Sequence, residues 1–126
     1  MAITVNSKKK QVKKTFQELI NDLMTSSSEK VRYNAARVLG EMGDSKAVEP
    51  LIDVLKNDKN GSVRLYAARA LGELGDSKAT EHLIESLRED RNVDVRVRAA
   101  RALGRLGGKI VVEPLVEALN LSLIHI

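Results

Sequence analysis

The sequence predicts an all-α protein, a right-handed α-solenoid in which helical hairpins stack side by side. Three observations predict it. The stretch VRYNAARVLGEMGDSKAVEPLIDVL, from Val31 to Leu55, returns as VRLYAARALGELGDSKATEHLIESL from Val63 to Leu87 and as VRVRAARALGRLGGKIVVEPLVEAL from Val95 to Leu119. The copies start 32 residues apart without insertion. A fixed period of that length marks units that bury their apolar faces only by stacking on one another. Within each copy the apolar residues recur at helical spacing and are interrupted once, by Gly-Asp or Gly-Gly.

Residues 1–27 are expected to form a basic segment and a capping helix. Val12, Phe16, Leu19, Ile20, Leu23 and Met24 make one helical stripe, which predicts a helix over about 12–24. Leu19, Ile20 and Leu23 stand 32 residues before Leu51, Ile52 and Leu55. The helix therefore fills the second slot of an incomplete repeat, and the lysines before it can keep the outer end of the stack wet.

Three repeats follow, at about 28–59, 60–91 and 92–120, each of two helices. First helices are expected near 29–42, 61–74 and 93–106. Ser28, Asn60 and Asn92 precede them at one equivalent position and are good N-caps. In the central copy Val63, Ala67, Ala70, Leu71 and Leu74 share one face. Gly40, Gly72 and Gly104 recur inside these helices, where glycine costs about 1 kcal/mol relative to alanine. That recurrence predicts a tight helix crossing. Gly43, Gly75 and Gly107 close the helices and supply a left-handed residue.

Second helices are expected near 46–56, 78–89 and 110–120. Asp44 and Asp76 can accept hydrogen bonds from their first N–H groups, whereas the third copy has Gly108 and should fray more. Thr80, Leu83, Ile84 and Leu87 form the apolar face, repeated at Val48, Leu51, Ile52, Leu55 and at Val112, Leu115, Val116, Leu119. Pro50 and Pro114 hold the position of His82. Proline is confined to a first turn, so regular α geometry should begin near Ala47 or Val111, after a tighter turn.

After Asn120 the pattern stops and LSLIHI follows, Leu121 to Ile126. The codons CTG TCT CTT ATA CAC ATC, the end sequence used in transposase-based sequencing libraries, translate to this string. Residues 121–126 are therefore expected not to be native, and the chain to be the N-terminal part of a longer solenoid. His125 then carries no function.

The pattern V-R-x-x-A-A-R-x-L-G-x-x-G-D…(A/V)-x-P-L-(I/V)-x-x-L resembles the HEAT-repeat family, specifically the short HEAT-like repeats named after phycobilisome lyases. The resemblance covers Val31 to Leu119. It implies the fold and leaves the function open, because such repeats occur in chromophore lyases, iron hydroxylases, DNA glycosylases and scaffolds. The hydroxylases carry His-Glu pairs where this chain has Tyr33-Asn34, Leu65-Tyr66 and Val97-Arg98. The glycosylases use tryptophan and an acid in a basic groove, and this chain has no tryptophan. The lyases offer no short motif to match.

Composition narrows the rest. The chain has no cysteine, which excludes disulfides and thiolate metal sites. No apolar run is long enough to span a bilayer, and Met1 to Gln11 lacks a signal-peptide core. A cytoplasmic protein without membrane contact is expected. The net charge of +4 comes from Lys8, Lys9, Lys10, Lys13 and Lys14, without which 16 basic face 17 acidic residues. Nucleic-acid binding is accordingly not the first reading. His82 is a lone histidine beside Glu81, with no second histidine at ligand spacing. No catalytic, metal or cofactor motif is present, and no cofactor is expected.

Charge rows remain. Arg32, Arg64 and Arg96 form one row on the first helices, and Arg37, Arg69 and Arg101 another. Both are expected to be structural, the Arg37 row by bridging neighbouring repeats and laying its stems on apolar surface. Glu49, Glu81 and Glu113, with Asp53, Glu85 and Glu117, form acidic rows on the second helices. These are expected to line the concave face and to meet a protein partner that is basic. The expected function is a non-catalytic protein–protein scaffold. The alternatives are a chromophore-lyase-like or enzyme-associated subunit, and nucleic-acid binding through the arginine rows and N-terminal lysines.

Overall fold

The structure, a computed structural model, describes residues 13–107. Six α-helices fill this span: α1 Phe16–Thr25, α2 Glu29–Met42, α3 Val48–Asn57, α4 Gly61–Leu74, α5 Thr80–Glu89 and α6 Val93–Leu106. Short 3-10 turns, Ser45–Ala47 and Ser77–Ala79, precede α3 and α5. Among the described residues there is no strand. The helices form an α-solenoid of two layers. In one, α2, α4 and α6 pack closely in sequence, and in the other α1, α3 and α5 stand further apart.

Local chemistry accounts for the boundaries. α1 starts at Phe16, four residues later than its apolar stripe suggests, because Thr15 and Glu18 form a capping box. The Glu18 N–H donates to Thr15 Oγ1 at 3.1 Å and the Thr15 N–H to Glu18 Oε1 at 2.8 Å. Ser28, Asn60 and Asn92 cap α2, α4 and α6, accepting from Val31, Val63 and Val95 respectively. Asp44 and Asp76 cap the 3-10 turns through the Lys46 and Lys78 N–H groups, each at 2.9 Å. Regular α geometry then begins at Val48 and Thr80, which places Pro50 in a first turn where no N–H is needed. Gly43 and Gly75 are left-handed, with φ of 74° and 70°. Gly107 departs from them: its φ is 75° but its ψ is −177°, so it ends α6 without the left-handed cap of the other two. The second helix of the third repeat, expected at 110–120, lies outside the described residues, as do Val12, Gly108 and the tail Leu121–Ile126.

The core is a continuous seam between the two layers. Leu23, Leu39, Leu51, Leu55, Leu71, Leu83 and Leu103 are its largest fully buried side chains. Alanine and glycine let the first helices approach. A Cβ on Gly40 would lie 2.8 Å from Ala70 Cα, and one on Gly72 would lie 2.9 Å from Ala102 Cα. The crossing predicted from the recurring glycine is therefore a backbone-to-backbone contact. Tyr33 and Tyr66 stack over the same α2–α4 crossing, with ring centroids 5.3 Å apart.

Candidate functional site

The Arg32 row forms a ladder of clamps along one edge. Arg64 donates through Nε and Nη2 to both Asp90 carboxylate oxygens, at 2.9 and 3.1 Å. Its Nη1 reaches back to the Asp58 and Lys59 carbonyls at 2.8 and 3.1 Å. One guanidinium thus ties the loop before its own repeat to the loop after it. Arg32 repeats the arrangement, with Nε and Nη2 on Asp58 at 2.9 and 3.2 Å and Nη1 on the Ser26 carbonyl at 2.9 Å. Arg96 makes the backward bond, to the Asp90 carbonyl at 2.7 Å. Asp58 and Asp90 themselves cap the following loops by accepting from the Asn60 and Asn92 N–H groups at 2.9 Å. Sequence reasoning singled out the arginines but missed these acceptors. The signal was available, since the two aspartates are also 32 residues apart.

The Arg37 row does not bridge repeats as expected. Arg37 pairs with Glu41 at 3.1 Å and Arg69 with Glu73 at 3.6 Å, each within its own helix. In both cases the partner is the i,i+4 carboxylate, the nearest neighbour by helical spacing. Arg101 has Arg105 at that spacing instead, and no carboxylate pairs with it among the described residues.

The acids Glu49, Asp53, Glu81 and Glu85 are all exposed, on α3 and α5. Asp53 accepts from the Asn57 side-chain amide at 2.8 Å. Glu113 and Glu117 lie outside the described residues. Among the described residues these acids, Glu49, Asp53, Glu81 and Glu85, share one layer, that of α1, α3 and α5.

His82 is half-buried on α5. Among the described residues, no group of three or more His, Cys, Asp or Glu side chains could hold a metal ion. Among them, open grooves run between neighbouring helices and loops. No helix of the described residues is long and apolar enough to cross a membrane.

The family model for HEAT repeats matches residues 16–92, more than half of the chain. That for the PBS lyase HEAT-like repeat matches residues 95–120. No curated protein matches the chain. Among solved structures, the chain is similar to the complex of CpcE and CpcF of phycocyanin lyase from Nostoc sp. PCC7120, at 35% identity and a TM-score of 0.77. The match covers 85% of this chain and 42% of that one. The chain thus spans less than half the length of its structural relative. The expectation of a non-catalytic protein is corrected here, because the solved complex the chain resembles is that of a phycocyanin lyase, as the lyase-like alternative had it. Recurrence, hairpin stacking and both matches agree: the chain belongs to the HEAT-repeat family.

Proposed function

We propose that the chain is the repeat-bearing part of a lyase-related subunit that acts in a complex with another protein. The observation that carries this reading is the likeness to the CpcE–CpcF complex of phycocyanin lyase over 85% of the chain. The geometry supports it in two ways. The described grooves are open, so a ligand held there would need a second protein to cover it. The clamped loops and close crossings also make the stack stiff, which lets a partner bind without first ordering it.

On this reading the exposed row of Glu49, Asp53, Glu81 and Glu85 offers a basic segment of such a partner an acidic edge. The chain would be co-expressed with a CpcF-type subunit, then mixed with chromophore and apo-phycocyanin. Co-elution of the two subunits and a rise in covalently bound chromophore absorbance are expected. Lack of both overturns the reading. Reversing Glu81 and Glu85 to lysine should slow association while leaving the helical signal intact, and unchanged association at low salt removes the acid row from it.

A further inference from the structure

The groove between α4 and α6 is chemically unlike the same groove one repeat earlier. It is lined by Arg69, Glu73, Arg98, Arg101, Ala102 and Arg105, four guanidiniums against one carboxylate. At the equivalent positions of the α2–α4 groove stand Arg37, Glu41, Tyr66, Arg69 and Glu73, together with Ala70. Those charges balance, two against two. Two replacements make the difference: Arg98 stands where the earlier repeat has Tyr66, and Arg105 where it has Glu73.

The upstream cations are neutralised in place by Glu41 and Glu73. Arg98, Arg101 and Arg105 have no carboxylate partner among the described residues. They lie at i, i+3 and i+7 along α6, where like charges repel and destabilise the helix. Arg101 and Arg105 are exposed and Arg98 is half-buried. Between the helices the floor is Ala102, only 2% exposed, so nothing bulky keeps another chain away.

We propose that this groove docks an acidic segment of a protein partner. The three α6 arginines span two helical turns, about 10 Å. That matches a partner helix with Asp or Glu at i, i+3 or i+4, and i+7. Guanidiniums grip such carboxylates through paired hydrogen bonds. A nucleic-acid backbone fits less well, because exposed acids adjoin the cluster among the described residues. Upstream on the same layer come Glu41 and its pair with Arg37, and α5 behind it exposes Glu81, Glu85 and Glu89. The inference does not rest on the lyase reading, since it concerns a charge imbalance that no reaction is needed to explain.

The test uses the full chain and two labelled probes: a helical peptide with glutamates at i, i+4 and i+7, and a single-stranded DNA oligonucleotide of equal charge. Fluorescence anisotropy is followed from low to high salt. R98Y/R105E restores the upstream residues, and K56Q/K59E changes net charge equally elsewhere. The peptide should bind the native chain, R98Y/R105E should weaken it by roughly tenfold or more, and K56Q/K59E by much less. Circular dichroism melts establish that both variants fold. Equal weakening by the two variants, no peptide binding by the native chain, or tighter binding of the oligonucleotide would each overturn the proposal.

Discussion

Arg64 and Asp90, 26 residues apart, meet through two parallel hydrogen bonds of 2.9 and 3.1 Å, with both side chains 7% exposed. Burial gives this pair its weight. Removing one partner of a buried ion pair leaves the other charge without compensation, at a cost of about 3–5 kcal/mol. Asp90→Ala is therefore expected to lower stability by about that much, and Asp58→Ala by less, because Arg32 is 18% exposed and water can solvate what remains. Urea melts of the two variants, with the Arg64→Ala/Asp90→Ala double variant to isolate the coupling, check the order.

The same substitution at two equivalent glycines should have opposite signs. Gly72→Ala drives a methyl to 2.9 Å from Ala102 Cα, a backbone atom that cannot turn aside. Forcing α4 from α6 should cost about 1–3 kcal/mol. Among the described residues a Cβ on Gly104 meets nothing within 4 Å, so Gly104→Ala is expected to keep the helix-propensity gain of about 0.5–1 kcal/mol. A lowered midpoint for the first variant and a raised one for the second is the expected pattern in thermal melts.

The capping box should make α1 sensitive to acid. The Glu18 carboxyl is held below its usual range, first by the Thr15 N–H and then by the Thr15 hydroxyl. A depressed carboxyl contributes stability above its unfolded pKa and loses it as pH falls through the folded value. Glu18→Gln should thus lower the melting temperature near neutral pH, and the gap from the native chain should close as the pH drops below the ordinary carboxylate range. Thr15→Ala removes one side of the box and should reproduce part of the loss.

Leu71 is fully buried in α4, at the middle of the seam. Leu71→Ala should leave a cavity and cost on the order of 2–5 kcal/mol, measured by denaturant midpoint at an unchanged slope.

Much of this fold was legible because the same sentence is written three times. The limits of α2, α4 and α6 follow from Ser28, Asn60 and Asn92 at one end and Gly43, Gly75 and Gly107 at the other. Pro50 announced the 3-10 turn before α3. The apolar period from Val12 onward does not show where α1 begins, because periodicity carries no boundary, whereas the Thr15 and Glu18 capping box does. Partners of the arginine rows were harder to read. Arg37 and Glu41 are neighbours by helical spacing, but Arg32 and Asp58 are brought together only by the hairpin between them. The charge imbalance at Arg98 and Arg105 was present in the sequence as a departure from the repeat. The fold gives it consequence by placing both residues with Arg69 and Arg101 in one groove.

The chain has two tyrosines and no tryptophan, and both tyrosines sit in the single Tyr33–Tyr66 stack. Its ultraviolet emission is therefore a built-in reporter of one joint, that between the first two repeats. Circular dichroism sees every helix at once. A probe-dependent melt, with the tyrosine signal and the backbone signal out of step, would show the array coming apart one joint at a time, and no label would have to be added to see it.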